Sequence, residues 1–384
     1  MKRLDSRFHG NDNPDESGVH FSTFCESFKL ETQDRLREND ENMLKVRESK
    51  KLVPEKMGSI LIRGTNWIGD VIMTLPAIAA VRNTAPHAKI TVLAKPWVAE
   101  TYRICPEVDE VIIYQDPGVH HGIAGDLAIL LQNAIEAAII AWLAGIPVRA
   151  GYNSDGRGIL LTHSVKRTAE RRKVHQVYYY LEMLKSLGFQ PAGSDIKLKL
   201  NDDYLTIAED ILDQHQIGGK DILIGMAPGA TYGPAKMWFP ERFAAVADKL
   251  INDFSARVML FGSGGDSERT TLVQQHSKND LIDMAGKTSL KEAIALIARC
   301  NLFISNDSGL MHLAGALDIP LVAIFGSTNP VTTSPVGEKS IVIHKDVSCS
   351  PCLKKECPTD FRCMDLIGID DVYNAARDIL DGAQ

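Results

Sequence analysis

The sequence predicts an α/β fold made of two doubly wound domains, each built on a parallel sheet. Apolar runs of strand length alternate with segments of helical spacing from residue 58 onward. The alternation breaks near residue 190, where Pro191 and Gly193 stand close together, and then restarts. A chain of 384 residues that is 45% hydrophobic is long enough for two such domains. Because strands that alternate with helices form parallel sheets, both domains are expected to be doubly wound.

The first 56 residues have a different composition from the rest. Runs such as HGNDNPDESG and TQDRLRENDENMLKVRESKK are polar or densely charged and contain few apolar positions. Such a segment buries too little apolar surface to offset the entropy that is lost on ordering. We therefore expect residues 1–56 to be a disordered or loosely attached extension without catalytic residues, or a segment upstream of a native start at Met57. The two predicted domains are residues 57–200 and 201–384.

The N-terminal series opens with a strand, a loop and a helix, predicted at residues 59–64, 65–69 and 70–84. Its other predicted strands cover residues 89–94, 110–114, 126–131 and 147–152. Its other predicted helices cover residues 96–104, 134–144 and 175–187. The strand assignments depend on short apolar runs bounded by turn residues, and the helix assignments depend on length and helical spacing.

The C-terminal series comes after a linker that is predicted at residues 190–203. Its predicted strands cover residues 222–227, 257–262, 281–284, 301–305, 321–325 and 340–344. Its predicted helices cover residues 240–251, 289–300 and 310–317. Pro240 suits the first turn of one helix, and Ser289 is expected to cap another.

Residues 304–326 have the pattern of a strand end, a tight turn, a helix and a buried strand. Asp307 or Ser308 is expected to cap the helix, because their side-chain oxygens accept hydrogen bonds from free backbone N–H groups. The amino end of such a helix attracts anions, and Gly309 allows a ligand to approach the backbone closely. The alternative interpretation is an ordinary capped helix with no ligand.

The composition argues against several classes of function. The net charge of −7 and the pI of 5.9 do not fit a nucleic-acid-binding surface. No segment has the length and apolar purity of a membrane span, and the first residues lack the apolar core of a secretory signal. We therefore expect a cytoplasmic protein whose seven cysteines are mostly reduced.

Four of the cysteines form the pattern Cys349-x2-Cys352-x4-Cys357-x5-Cys363. The first pair has the spacing of a zinc knuckle, whereas the second pair does not. Three interpretations stay open for these four residues: reduced structural thiols, an adventitious metal site, and a structural zinc ion.

Three loops come directly after predicted strands and are expected to meet at one cleft. They belong to the segments RGTNWIGDVIMTLPAI, APGATYGPAKMWFPERFA and NDSGLMHLAGALDIPLVAIFGSTNP. In doubly wound folds, ligands bind at the carboxyl ends of the strands. These three segments, in this order, resemble glycosyltransferase family 9, and the resemblance covers nearly all of the chain from Met57 onward.

The resemblance implies a GT-B fold, with two Rossmann-like domains facing a central cleft. It implies transfer of L-glycero-D-manno-heptose from ADP-heptose to the first heptose of the lipopolysaccharide inner core, which is linked through Kdo to lipid A. The expected partners are ADP-heptose and this heptosyl-Kdo-lipid A acceptor at the inner-membrane surface, with no nucleic acid and no obligatory protein partner. Alternatives are heptosyltransferase I or another core transferase of the family, a nucleotide-sugar epimerase or hydrolase on the same fold, and a non-catalytic binding protein.

The resemblance also implies roles for residues of the first loop. It places a catalytic aspartate at Asp70, which would act as the general base for the acceptor hydroxyl. From the residues alone, the plainer interpretation of Asp70 is a helix cap. Asn66 and Trp67 would shape the acceptor pocket, although a turn asparagine and a buried tryptophan are the plainer interpretations.

In the second domain, the resemblance places a phosphate-binding lysine at Lys236. A cation there would stabilise the negative charge that develops on the departing diphosphate. Thr231 would add a hydroxyl donor, and the helix start would hold the same group from another side. The residues expected to bind the donor are Thr231, Lys236, Asp307, Ser308, Gly309, His312 and, around the base and ribose, Gly286, Lys287 and Thr288. For His312 the plainer interpretation is a core or surface histidine, and for the last three residues it is a simple turn.

The sequence has no Asp-x-Asp pair of the kind that holds a diphosphate through a divalent metal. We therefore expect no metal site and no required cofactor apart from the ADP-heptose donor. A basic run precedes the helix predicted at 175–187 and comprises Lys166, Arg167, Arg171, Arg172 and Lys173. It is either a solvated surface or a contact with the anionic acceptor.

Overall fold

A computed structural model describes residues 52–115, 122–196, 198–337 and 339–382. The first half of this part builds a six-stranded sheet in the order β3-β2-β1-β4-β5-β6, with every pair of neighbours parallel. Its strands are β1 Ser59–Arg63, β2 Lys89–Ala94, β3 Glu110–Ile113, β4 Leu127–Leu130, β5 Val148–Tyr152 and β6 His163–Val165.

The second half builds another six-stranded parallel sheet, in the order β12-β11-β10-β7-β8-β9. Its strands are β7 Leu223–Ala227, β8 Arg257–Leu260, β9 Ile282–Asp283, β10 Leu302–Asn306, β11 Leu321–Ile324 and β12 Ser340–Ile343. Read outward from its first strand, each sheet has the same order of strands, which is the Rossmann order.

Helices cover the sheets and alternate with the strands along the chain. They are α1 Ile68–Thr84, α2 Pro96–Arg103, α3 Ile135–Leu143, α4 Gln176–Ser186, α5 Asp202–Gln214, α6 Pro240–Phe254, α7 Ser267–His276, α8 Leu290–Ile297, α9 Gly309–Ala316, α10 Pro330–Thr333, α11 Arg362–Asp365 and α12 Ile369–Gly382. All residues of β4, β7, β10 and β11 are buried, as expected for parallel strands that are covered on both faces. The predicted fold class is confirmed.

The bounds of several elements differ from the prediction. Helix α1 begins at Ile68, two residues before the predicted start, so Gly69 and Asp70 lie in its first turn. The structure also contains β6, α5, α7, α10, α11 and α12, which the sequence pattern did not predict. Strand β6 has only three residues, too few to show a period. Helix α5 has helical spacing but only three buried residues, among many polar ones, and its start falls within the predicted linker.

The amino-terminal edge of the described part packs onto the first sheet, since Leu52 and Pro54 are buried. The predicted extension otherwise lies outside the described residues, and the boundaries at residues 57 and 201 stay predictions. Within the described ranges, no helix combines the length and the apolar character that crossing a membrane requires.

Candidate active site

The two halves of the described chain meet through the amino ends of α1 and α9, which pack against each other. A Cβ atom at Gly69 would lie 2.7 Å from Cδ2 of His312, and one at Gly309 would lie 3.0 Å from Cβ of Ile68. A side chain at either position would force its neighbour to move, so the two glycines favour this close approach of the helices. The positive ends of two helices converge here, and such ends attract negative charge.

Asp70 lies in the first turn of α1, whose N-cap is Trp67. Burial raises the pKa of the Asp70 carboxyl to about 6, with the positive charge of Lys236 opposing the shift and the negative charge of Asp307 adding to it. A carboxylate with a pKa near neutral is suited to accept a proton. Asp70 is therefore near both Lys236 and Asp307, which come from the other half of the chain.

Lys236 ends a short 3-10 turn in the loop after β7. Its Nζ lies 2.7 Å from Oδ2 of Asp307, and both side chains are largely buried. The same Asp307 oxygen accepts a hydrogen bond from Thr328 Oγ1 at 2.6 Å. The Lys236 ammonium also lies 5.0 Å from the centroid of the Tyr232 ring. These contacts fix the position of the Lys236 ammonium beside the amino end of α9.

The cap of α9 is Ser308, whose Oγ accepts from the backbone N–H of Met311 at 3.4 Å. Of the two candidates that the sequence offered, Ser308 therefore caps the helix, whereas Asp307 pairs with Lys236. Asn306, the residue before Asp307, connects the end of β10 to the loop after β7. Asn306 accepts from the backbone N–H of Trp238 at 3.0 Å and donates to the carbonyl oxygen of Pro228 at 2.7 Å.

His312 is buried in the first turn of α9, and its Nδ1 has no hydrogen-bond partner within the described part of the chain. Burial lowers the pKa of the His312 ring to about 4, against the opposing effect of the Asp307 charge. The ring is therefore neutral at physiological pH. Its close contact with Gly69 makes it part of the junction between the two halves.

Asn66 and Trp67 lie in the loop that leads into Asp70. Asn66 Oδ1 accepts a hydrogen bond from Arg63 Nη2 at 3.1 Å, and the Asn66 carbonyl oxygen accepts one from Trp97 Nε1 at 2.8 Å. Trp67 is 37% exposed, so the interpretation of a buried tryptophan is wrong. These side chains lie on the Asp70 side of the junction.

The residues expected around the donor base lie further along the second sheet. A Cβ atom at Gly229 would lie 2.1 Å from Oδ1 of Asp266, and one at Gly286 would lie 2.9 Å from Cα of Gly264. The loops after β7, β8 and β9 are therefore contiguous along one edge. Lys287 comes next on this edge, and its ammonium donates to the carbonyl oxygen of Asp283 at 2.9 Å.

Thr231 and Thr288 complete the set that the sequence predicted. Thr231 is exposed in the loop after β7, and Thr288 is half-buried directly before the Ser289 cap of α8. Within the ranges that the structure describes, no hydrogen bond or ion pair joins Thr231, Gly286, Lys287 or Thr288 to the Lys236–Asp307 pair. Their roles in donor binding stay predictions.

Sequence reasoning did not single out Tyr232, Thr328 or Trp97. Each lies shortly after the carboxyl end of a strand, namely β7, β11 or β2. The rule that ligands bind at these ends therefore points to all three positions. The rule does not tell which of the many loop side chains contact the site, since that depends on how the loops fold over one another.

The four cysteines lie in or beside a loop that packs on the loop of Lys236. The backbone N–H of Ala235 donates to the carbonyl oxygen of Lys355 at 2.9 Å, and the Tyr232 hydroxyl donates to that of Leu353 at 2.8 Å. All four thiols are free. Among the described residues, no three histidine, cysteine, aspartate or glutamate side chains come together as metal ligands would.

The basic run after β6 divides into packed and exposed side chains. The Arg167 guanidinium lies 5.8 Å from the centroid of the Tyr179 ring, and Arg171 donates to Ser186 Oγ at 2.9 Å. Lys166, Arg172 and Lys173 are exposed. The run is thus only partly a solvated surface.

The two Rossmann-like sheets have the GT-B architecture, and their facing loops carry a carboxylate on one side and a lysine with a helix amino end on the other. The chain belongs to glycosyltransferase family 9 (heptosyltransferase), whose family profile matches residues 123–361. The match begins within the first sheet and runs through the cysteine-bearing loop, so it includes Lys236 and Asp307 but not Asp70.

Three similar proteins extend the comparison. Lipooligosaccharide heptosyltransferase 2 of Haemophilus influenzae is 32% identical over 310 residues, which are 74% of this chain and 88% of that protein. Lipopolysaccharide heptosyltransferase 2 of Escherichia coli is 31% identical over 310 residues, which are 74% of this chain and 87% of that protein. The solved structure of E. coli ADP-heptose LPS heptosyltransferase II has a TM-score of 0.74 and 27% identity, covering 85% of this chain and 99% of that chain.

Proposed function

We propose that this enzyme transfers L-glycero-D-manno-heptose from ADP-heptose to the first heptose of the lipopolysaccharide inner core. The observation that carries the proposal is the placement of Asp70 and Lys236 on opposite halves of one junction. An inverting transferase needs this separation, because its acceptor must approach the sugar from the side opposite the leaving group. The names of the similar proteins, which are heptosyltransferases of lipopolysaccharide and lipooligosaccharide, support the choice of sugar and acceptor.

In this reaction the acceptor hydroxyl attacks the anomeric carbon while Asp70 takes its proton. The bond between the anomeric carbon and the phosphate oxygen breaks, and ADP leaves with the electron pair. One displacement inverts the configuration at the anomeric carbon. Because the pKa of Asp70 is raised to about 6, the carboxylate is ionised at physiological pH yet more basic than an exposed aspartate.

The leaving ADP gains negative charge, and the second half supplies the groups that stabilise it. Lys236 presents a fixed cation, and the free backbone N–H groups at the start of α9 point the same way. We propose that these groups hold the diphosphate without a divalent metal, as the absence of an Asp-x-Asp pair in the sequence suggests.

The acceptor is anchored in a membrane, so the enzyme must work at a membrane surface. We propose that it does so from the cytoplasmic side. The exposed Lys166, Arg172 and Lys173 lie on the half that carries Asp70 and would face the anionic acceptor.

The test is a transfer assay with purified protein, ADP-heptose and core acceptors that carry either no heptose or one heptose. Mass spectrometry of the products should show one added heptose on the acceptor that already has one. Addition only to the acceptor without heptose would instead indicate transfer of the first heptose. Consumption of ADP-heptose without any acceptor would indicate an epimerase or a hydrolase. A parallel reaction with EDTA should proceed at the same rate, and restoration by Mg²⁺ after a loss would contradict the metal-independent site.

A further inference from the structure

The loop that carries Lys236 is held at both of its ends by side chains from outside the loop. It runs from Pro228, directly after β7, to the buried Trp238. Asn306 donates to the Pro228 carbonyl oxygen at 2.7 Å and accepts from the Trp238 backbone N–H at 3.0 Å. Arg269 contacts the same two ends: its Nε donates to the carbonyl oxygen of Pro228 at 2.9 Å, and its Nη2 donates to that of Trp238. The two ends therefore lie side by side, as in a compact Ω-type loop.

The shape of the Arg269 guanidinium suits this contact with two carbonyl oxygens. The Nε–H and one Nη–H of an arginine are donors on one edge of a rigid plane, so they hold two acceptors at a fixed spacing. Arg269 lies in the first turn of α7. The N-cap of that helix, Asp266, packs on the start of the loop, because a Cβ atom at Gly229 would lie 2.1 Å from Oδ1 of Asp266. The guanidinium thus projects from a helix that already contacts the loop.

The positive charge of Arg269 is half-buried and has no ion-pair partner among the described residues. Burial lowers the pKa of its guanidinium, and the negative charges of Glu241 and Asp266 oppose the shift. Removing such a cation from water costs free energy, which its hydrogen bonds must offset. Those hydrogen bonds go to main-chain carbonyl oxygens at the two ends of one loop. The contacts of Arg269 are therefore directed at the conformation of that loop.

We propose that Arg269 is a positioning residue that fixes the Lys236 ammonium for the diphosphate of the donor. Lys236 is two residues before Trp238, so a shift of the Trp238 main chain moves the lysine with it. The Asp307 carboxylate holds the ammonium from one side, and the loop determines how far that ammonium can reach. Arg269 acts through the loop and does not touch the donor. This inference rests on the proposed function, because that function assigns Lys236 to the diphosphate.

The rival interpretation gives Arg269 a role in stability alone. Arg269→Met removes the paired donors and keeps a long side chain. Arg157→Met is the matched control, because Arg157 is also buried and also donates to main-chain carbonyl oxygens, those of Tyr152 and Leu130, but in the first half. Both variants should melt at a lower temperature than wild type, since each leaves buried carbonyl groups with fewer partners. A loss of ADP affinity in Arg269→Met alone separates positioning from stability.

The first measurement is the affinity for ADP, by calorimetry well below the melting temperature of each variant. Arg269→Met should raise the Kd for ADP about tenfold, whereas Arg157→Met should stay within about twofold of wild type. Arg269→Lys keeps the charge without the rigid pair of donors, and it should raise the Kd by about threefold or more. Affinity like that of wild type in either Arg269 variant, or an equal loss in Arg157→Met, would overturn the proposal.

A second measurement combines Arg269→Met with Lys236→Met. If Arg269 acts through Lys236, then Arg269→Met should cause almost no further loss of ADP affinity once the lysine has been removed. Losses that simply add in free energy would show that Arg269 contributes independently of Lys236, and they would overturn the positioning role.

Hydrogen exchange of the ligand-free protein tests the loop without any donor. The amides of residues 229–238 should exchange faster in Arg269→Met than in wild type, and no faster in Arg157→Met. Unchanged exchange in Arg269→Met would overturn the proposal. If exchange rises as expected and yet wild type binds no ADP, the proposed donor fails, while the role of Arg269 in closing the loop stands.

Discussion

The two sheets of this protein share one order of strands and differ in the segments that connect equivalent strands to their helices. After β1 the chain enters α1 within five residues and delivers a carboxylate, Asp70, in the first helical turn. After the equivalent strand β7 it forms a longer loop, which delivers an ammonium, Lys236, before α6 begins at Pro240. The same topological position therefore carries opposite charges in the two halves.

The strands that lie beside β1 and β7 at the point where the strand order reverses, β4 and β10, also lead into different helix starts. After β4, the N-cap of helix α3 is Ala134, whose side chain makes no capping hydrogen bond. After β10, the N-cap of helix α9 is Ser308, which does make one, and Asp307 just before it positions Lys236. The second half is thus arranged to suit an anion, and the first half carries the carboxylate that we propose as the proton acceptor. A duplicated architecture can serve a reaction with two unlike substrates because loops change while strand order does not.

The largest effect should come from removing the proton acceptor of the first half. Asp70→Asn keeps the size of the side chain but cannot take the proton, so kcat should fall by about 10²–10⁴. The affinity for ADP, measured by calorimetry, should change little, because we propose that the phosphates bind to the other half. Asp318→Asn, at the far end of α9, is the control and should keep its rate. A rate near that of wild type would reduce Asp70 to a structural residue.

The pH dependence of kcat/KM should report the ionisation of Asp70. Since the pKa of Asp70 is raised, the base is protonated over a range in which an exposed aspartate would be ionised. We expect kcat/KM to be constant above a pKa of about 6 and to fall about tenfold for each pH unit below it. His312 should add no limb near neutrality, because its pKa is lowered to about 4. A limb that persists unchanged in Asp70→Asn would assign the titration to another group.

Removing the Lys236 ammonium in the second half should weaken donor binding and slow transfer, so that kcat/KM for the donor falls by about 10–100-fold. Lys236→Met also leaves the Asp307 carboxylate buried without its partner, which costs stability. The double variant Lys236→Met/Asp307→Asn should regain the melting temperature but not the ADP affinity. Lys249→Met, an exposed lysine on α6, is the control. Recovery of ADP affinity in the double variant would show that Lys236 acts only by neutralising Asp307.

The smallest expected effect is a loss of stability from a substitution at the junction of the two halves. Gly69→Ala places a methyl group 2.7 Å from Cδ2 of His312 and should destabilise the protein by about 1–3 kcal/mol. In a His312→Ala background the added methyl group meets space, so the two losses should be less than additive in denaturant unfolding. Strict additivity would mean that the two residues do not touch in solution.

The amino-acid sequence was sufficient to predict the fold class and the positions of the site loops. Strands such as β7, β10 and β11 appear as uninterrupted apolar runs because helices cover both of their faces. The loops after them were located by the rule that ligands bind at carboxyl ends. The resemblance then selected Asp70 and Lys236 from the many polar residues in those loops.

How these residues act on one another depends on the tertiary structure alone. Lys236 pairs with Asp307, and Trp97 donates a hydrogen bond to Asn66, so each contact joins segments that are distant in the chain. The raised pKa of Asp70 depends on burial and on the charges of Lys236 and Asp307, which are also distant in the chain. Hydrophobic periodicity reports which face of an element is buried, and it carries no information about which loops meet. The burial of Asp70 and its distance from the charges of the other half arise only when the two sheets come together. Each sheet can be predicted from its own segment of sequence, but no pattern within either half could supply these distances.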